Sequence, residues 1–508
     1  MRSERRTGSC LRLLAGTLAL TMTLTGCGGF RSVYNDIFGE TESASPAPAA
    51  VTELSLPVDI DDSLNPYAAL SDMNLSLSAL LFDPLFLTDN SFSAISCLAE
   101  SISGSGPEYL VSLRRDVSFS DGTPLTAADV VYSFQQTELQ QRRYWQLHTS
   151  IESVTAVDDH TVRVTAYRAD KNIAGLLSFP IVKNGSDTDS LIGTGRYLYE
   201  EEGGRRRLAA NPDNPSASAS ITEIELVAMP DDATVANALR SGVIDCMYTD
   251  YAEEEDYALG ANSFLIESGN VVYLGYSSQN AVTSLRDFRS LVGEMVNKES
   301  IASDLYYNKA TPAQTPFPAS YYDLPEQTDS GRADEFINME LELLGLTLGE
   351  DGVRRYEDSP VELAILTSSE NPFRVRVAET VARYLGYYGI TATVEQLPYE
   401  DYLARLAAGD YDLFVAEVCV GGNLDISPLI SGSSVGIAGD CSDAQLLEQY
   451  YLYCAGGIDC ATFLDIFASY VPVTPLVYRQ SGAVVSPSFP AAMTPVAQDI
   501  FYNIDKWQ

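Results

Sequence analysis

Leu110-Val-Ser-Leu-Arg-Arg-Asp-Val-Ser-Phe-Ser-Asp-Gly-Thr-Pro-Leu-Thr-Ala-Ala-Asp-Val-Val-Tyr-Ser-Phe134 is the stretch from which the chain is best read. Leu110, Val111 and Leu113 mark a short apolar strand. Asp121-Gly122 signals a turn, because glycine adopts positive φ without penalty. Thr126 then opens a helix. Its hydroxyl suits a first-turn cap, and Asp129 three residues on completes an approximate capping box. Val130, Val131 and Phe134, spaced by three and four, give that helix one apolar face. Local physics alone therefore predicts strand, tight turn, capped helix.

The wording of this stretch also resembles the signature of bacterial extracellular solute-binding proteins of family 5, the peptide- and nickel-type receptors of ABC importers. Members carry a run much like LR-x-D-V-x-F-x-D-G-T-P-L-T-A-x-D-V, and the match here is nearly unbroken. By that resemblance the segment is structural and does not touch ligand. Further resemblances run along the chain. Leu64-Asn65-Pro66-Tyr67 and Phe82-Asp83-Pro84-Leu85 look like the family's opening loop and its Y/F-D-x-L segment. Ile192-Gly-Thr-Gly-Arg-Tyr197 resembles its G-T-G-P-Y turn, and Pro472-Val-Thr-Pro-Leu-Val-Tyr-Arg479 its P-x-x-P-L-x-Y return.

The resemblance implies an α/β, two-lobed periplasmic-binding-protein-like fold of type II with an extra inserted sub-domain. Lobe one would be built from residues 51–86, 190–272 and 471–508. The inserted sub-domain would span 87–189 and lobe two 273–470, with crossings near Tyr273 and Val471. Ligand would lie in the inter-lobe cleft. The residues by themselves support an α/β lobe. Val361–Leu366, Phe373–Tyr387, Ile390–Glu395, Asp401–Ala408 and then Gly409–Phe414, which leads into another strand, alternate strand and helix patterns, which argues a largely parallel sheet. Ile151–Val164 alternates apolar and polar residues around Asp158-Asp159, as a hairpin does.

The 508 residues suffice for several sub-domains, and an apolar content of 45% suits a globular chain. A formal charge of −39 repels phosphate backbones, so nucleic acid is excluded as a partner. The N-terminus is different. Arg2, Arg5, Arg6 and Arg12 precede an apolar run from Leu13 to Leu24, which is too short to span a bilayer. Leu24-Thr25-Gly26-Cys27 resembles a bacterial lipobox. Residues 1–26 are therefore expected to be a lipoprotein signal peptide, and Cys27 the lipidated new N-terminus. Residues 27–50 include Ser-Ala-Ser-Pro-Ala-Pro-Ala-Ala and read as a tether. The protein is expected to be exported and held at the outer face of the cytoplasmic membrane by that anchor alone.

Six further cysteines would follow in the folded part, an even number that permits disulfides in an exported chain. Cys454 and Cys460, which flank Ala-Gly-Gly-Ile-Asp, are the expected pair, with buried free thiols as the alternative. No cysteine or histidine spacing suggests zinc, and no cofactor or metal is expected. Only His148 and His160 exist, both within the inserted sub-domain, so a histidine-dependent hydrolase is disfavoured.

The resemblance places the ligand-facing segments. On lobe one, Ser71 and Asp72 are the candidates. On lobe two they are Glu417, Cys419, Gly421, Asn423 and Asp425, with Tyr399 and Tyr402 offering aromatic contact. Peptide-binding relatives read G-W-x-x-D-x-x-x-P here, and the Asp pairs with the peptide's α-ammonium. This chain has no Trp in that stretch, Gly421 stands near that Asp, and Asp425 is displaced. The expected function is capture of oligopeptides or another small polar solute, delivered by a monomer to an ABC permease and its ATPase. The competing reading is a ligand-sensing or adhesion lipoprotein that kept the fold without transport.

Overall fold

The computed structural model describes residues 51–252, 262–326, 333–431, 441, 443–490 and 492–507. The expected signal peptide, the tether and Cys27 lie outside the described residues.

On the division into lobes that the resemblance implies, lobe one opens with β1 (Leu54–Val58) and α1 (Asp72–Leu81). The inserted sub-domain follows with β2 (Ala99–Ser103), β3 (Glu108–Leu113), α2 (Ala127–Gln136), α3 (Trp145–Ser150), β4 (Ile151–Asp158) and β5 (Thr161–Ala166). Its antiparallel sheet has the order β2-β3-β5-β4. Alternation along β3 turns Tyr109, Val111 and Leu113 inward, while Leu110 stays exposed. Gly122 takes φ +81°, as the Asp-Gly turn requires. At the start of α2, Asp129 accepts the Thr126 backbone N–H at 2.8 Å and the Thr126 hydroxyl at 2.7 Å. Val130 is fully buried, and Val131 and Phe134 pack on the same apolar cluster.

Lobe one resumes with β6 (Tyr197–Glu202), β7 (Arg205–Ala210), β8 (Glu223–Ala228), α4 (Asp232–Ser241) and β9 (Cys246–Thr249). The sheet order β1-β8-β7-β6 brings the ends of this lobe together. β6 and β7 face Glu200, Glu201 and Glu202 with Arg207, Arg206 and Arg205, a charge-matched hairpin. Gly193 and Gly195 do not cradle a ligand. A Cβ on either would lie within 2.4 Å of a carbonyl of α1, so they let two backbones touch.

Two long strands carry both lobes. They are β10 (Ser263–Tyr276) and, after the other elements of lobe two, the last strand of the chain. Between them come β11 (Ala310–Pro312), β12 (Glu362–Ser368), α5 (Pro372–Tyr387), β13 (Thr391–Leu397), α6 (Tyr399–Ala407), β14 (Leu413–Cys419), α7 (Ala444–Cys454) and α8 (Cys460–Tyr470), and then β15 (Val473–Val485). The sheet order is β9-β15-β10-β14-β12-β13, with β11 also on β15. β12 pairs in parallel with β13 and β14, as the alternating pattern predicts. β10 and β15 run antiparallel for most of their length, with a register shift between Glu267 and Asn270. On one side of that shift β15 receives β9 of lobe one. On the other, β10 receives β14 of lobe two.

The C-terminal return is fixed by a buried ion pair. Arg196 bonds Asp499 at 2.6 Å and the Phe501 carbonyl at 2.8 Å, and both charged side chains are 7% exposed. Burial pushes the Asp499 carboxyl up, and Arg196 pulls it back. Such a pair fixes geometry more than it adds stability, because both ions must leave water.

Cys454 and Cys460 do not form the expected disulfide; both are free thiols. Cys454 ends α7 and Cys460 begins α8, and each thiol has a neighbouring tyrosine hydroxyl, Tyr450 and Tyr453 respectively. The short α7–α8 turn is held by packing of Tyr453 on Phe463, whose rings stack at 5.2 Å.

Candidate functional site

The segment after β14 is where lobe two meets the inserted sub-domain. Gln146 of α3 donates to the Cys419 carbonyl at 2.7 Å. Asn423 donates to Asp170 at 2.8 Å, and Asn172 donates to the Asn423 carbonyl at 3.3 Å. The backbones come closer still at two glycines. A Cβ on Gly175 would sit 2.2 Å from the Gly422 carbonyl oxygen, a distance no side chain tolerates. Gly421 has φ +66° and lies against the Gln146 side chain. Around this contact, Lys171 pairs with Asp323 at 2.5 Å and stacks over Tyr453 at 3.7 Å, while Arg168 covers Tyr451 at 4.1 Å.

Beside this contact lies an inter-lobe cavity of about 370 Å³. Its walls come from α1 (Asp72), the sub-domain (Tyr144, Gln146, Gly175), β9 (Tyr248) and lobe two (Gly422). That volume falls in the range of small-ligand cavities, roughly 300–1,000 Å³. On the sub-domain side, Asn423 and Asp425 line a second space of about 300 Å³ with Trp145, Arg168 and Asp170.

The expected site residues separate into groups. Asp72 faces the inter-lobe cavity, and Gly421, Cys419 and Asn423 belong to the lobe contact. Ser71 is the N-cap of α1. Its hydroxyl accepts from the Asn74 N–H at 3.3 Å and donates to Asp62 at 2.9 Å. Asp425 accepts from the Ser427 N–H at 2.9 Å and from the Tyr450 hydroxyl at 3.2 Å, so it orders its own loop.

Three expectations need correction. Glu417 is not an open anchor, because it bonds Arg479 of β15 at 2.7 Å in a nearly buried pair. Burial alone lowers a guanidinium's pKa, yet the Glu417 carboxylate holds Arg479 above its ordinary value. Tyr402 is 2% exposed, and its hydroxyl donates to the Val415 carbonyl at 3.0 Å. It packs α6 on the sheet, and burial raises its pKa. Tyr399 stands half-exposed at the start of α6, stacked on Tyr402 and outside the inter-lobe cavity lining.

Sequence reasoning missed the sub-domain's share. Gln146 falls in a short helix, Asp170 and Asn172 in a polar run between strands, and Gly175 in the single apolar helical turn that follows, Ile173–Leu176. Nothing in their local periodicity separates them from ordinary loop residues. Asp170 is the most perturbed of them. Burial pushes its carboxyl up to about 6, against the Asn423 amide and the Asn172 N–H, which pull it down.

The comparisons with known proteins agree with this architecture. The family model described as Bacterial extracellular solute-binding proteins, family 5 Middle matches residues 94–432, more than half of the chain. The chain belongs to this family. It is 21% identical over 441 residues to the oligopeptide-binding protein AppA of Bacillus subtilis, covering 80% of each chain. It is 25% identical over 372 residues to the nickel-binding periplasmic protein of Escherichia coli, covering 66% of this chain and 68% of that one. Among solved structures it is similar to the periplasmic murein tripeptide binding protein MppA in its unliganded open form. The TM-score is 0.70 at 16% identity, over 86% of this chain and 94% of that one. NikA of Brucella suis gives a TM-score of 0.65 at 20% identity, over 89% and 99%. These likenesses establish the two-lobed type II fold. The protein is a solute-binding protein and not an enzyme.

Two outcomes follow from the lobe contact. Gly175→Ala places a methyl against the Gly422 carbonyl, and such overpacking costs about 1–3 kcal/mol. Small-angle scattering is expected to show a larger radius of gyration for the variant; identical profiles would show that the contact is not made in solution. The second concerns Asp170. A carboxyl whose pKa is raised on folding binds its proton more tightly in the native state, so stability is lost as pH rises from about 4 through 6. Relative to Asp170→Asn, the wild type is expected to lose about 1–3 kcal/mol between pH 4 and 7. Urea unfolding across that range checks this, and parallel profiles for the two proteins would refute it.

Proposed function

We propose that the chain is the lipid-anchored receptor of an ABC importer, capturing oligopeptides or a related small polar solute between its lobes. The observation that carries this is the inter-lobe cavity, whose walls come from α1, β9, the sub-domain and the loop after β14. A cavity shared in this way couples ligand binding to lobe closure, because ligand contacts form fully only when the walls meet. The closed pair of lobes would then be the surface that docks, as a monomer, on a permease driven by its ATPase.

The ligand's anchors differ from those of a peptide binder with an exposed Asp on lobe two. Glu417 is committed to Arg479, and Asp425 to Tyr450 and its own loop. Asp72, on lobe one, lines the cavity wall together with Asp83 and Asp499. The names of the similar proteins, an oligopeptide-binding and a nickel-binding protein among them, frame the choice of solute.

Native mass spectrometry of the purified chain, followed by denaturation, is expected to release a ladder of short peptides. A single non-peptide solute would replace the peptide assignment. An empty cleft that also takes up no peptide on titration would overturn transport in favour of sensing or adhesion. For the anchor, Cys27→Ser is expected to move the protein from the membrane to the soluble fraction; an unchanged distribution would remove Cys27 as the lipidated residue.

A further inference from the structure

A second and larger cavity lies wholly within lobe one. It has a volume of about 900 Å³, against about 370 Å³ for the inter-lobe cavity. α1, α4 and β9 line it, and it opens to solvent.

The chemistry of its walls is divided. Met73 and Met247, partly buried, supply the accessible apolar surface, over buried Leu77, Met229 and Val235. Three of the chain's eight methionines therefore meet at one cavity. Methionine's unbranched, polarisable side chain makes an apolar wall that adapts to different shapes. The solvent side is acidic. Asp59, Asp72, Asp231 and Asp250 line the cavity and all reach solvent, against one cationic residue among the described residues of the lining, Arg240. The chain's strongly negative charge adds to the attraction of a cation there. The cavity also meets the inter-lobe one, since Asp72, Ser76 and Tyr248 line both.

We propose that lobe one carries a ligand chamber of its own, which takes the apolar part of an amphipathic cation among the methionines and holds the cationic group at the aspartate-lined mouth. All the residues involved belong to one lobe, so the chamber fills without lobe closure, although through Asp72, Ser76 and Tyr248 it adjoins the cavity of the importer reading.

The test is calorimetric titration of the full chain with n-octylammonium, ethylammonium and octanoate, with thermal melting as a second readout. Each methylene that leaves water is worth about fourfold in affinity. Octylammonium is therefore expected to bind at least about a hundredfold more tightly than ethylammonium, and to raise the melting temperature. Octanoate, with the opposite charge, is expected to bind at least about tenfold more weakly than octylammonium. Ala236→Trp, on the α4 wall, is expected to abolish octylammonium binding with an unchanged circular dichroism spectrum. If that variant fails to fold, the Asp72→Asn, Asp250→Asn pair keeps the volume and is expected to weaken octylammonium by about tenfold.

Equal affinity for the two ammonium ions, equal affinity for octanoate, or full binding by a folded Ala236→Trp variant would each overturn the chamber. A chain that takes octylammonium but no peptide keeps the chamber and counts against the peptide importer. One that takes peptide but no octylammonium does the opposite.

Discussion

The pairing of β10 with β15 is the constraint on which the rest depends. Over most of their length these two strands are each other's partners, and the register shifts between Glu267 and Asn270. Lobe one attaches through β9 and lobe two through β14. Moving the lobes apart therefore bends one shared ladder instead of breaking two separate connections. Glu417 on β14 and Arg479 on β15 flank β10 in this sheet, and Arg479 also donates to the Asp250 carbonyl of lobe one at 2.6 Å. An ion pair buried there resists loss of either partner, which explains why Glu417 serves the scaffold and not the ligand.

With the crossing fixed, the lobes can meet only through what faces the cleft. The meeting combines a close backbone approach with side-chain bonds. Gly175 and Gly422 allow two chains to touch where any Cβ would collide, and the neighbouring amides Gln146, Asn172 and Asn423 bond across the gap. Amides and glycines give short contacts with little charge to desolvate, which suits an interface that must open. Charge is present as well: Asp170 is a carboxyl placed where burial disfavours its ionised form, and Lys171 pairs with Asp323. The sub-domain is thus more than an appendage: its loop between β5 and β6 supplies most of the partners of lobe two. The two cavities that share Asp72, Ser76 and Tyr248 extend the recognition surface from the cleft into lobe one.

Much of the scaffold was legible in the residues. The run from Leu110 to Phe134 encodes strand, turn and helix by short-range rules, and those rules operate within a few residues of one another. The Thr126–Asp129 contact, the Gly122 turn and the helix Asp232–Ser241 ended by Gly242 all lie where local chemistry places them. The parallel strands of lobe two follow from the spacing of apolar runs around Pro372–Tyr387. The candidate site was legible only in part. Asp72 and the loop from Cys419 to Asn423 do lie at the inter-lobe contact. The missing partners were Gln146, Asp170, Asn172 and Gly175. They are more than 200 residues distant in sequence from the loop they meet, and polar residues between strands carry no periodic signal.

By itself, the sequence determined the elements, the family signature, the acidic character that excludes nucleic acid, and the basic-apolar start that reads as an export signal. These depend on composition and on neighbours in the chain. The tertiary structure alone decided which polar groups are spent on the fold and which face a cavity. Glu417 and Tyr402 look like ligand contacts until Arg479 and the Val415 carbonyl are brought beside them. Cys454 and Cys460 look like a disulfide until packing of Tyr453 on Phe463 is seen at that turn, where both thiols are free. The physical reason is the same in each case. Burial and partnership are set by residues far away in the chain, and a side chain's chemistry is available to a ligand only if the fold has left it without another task.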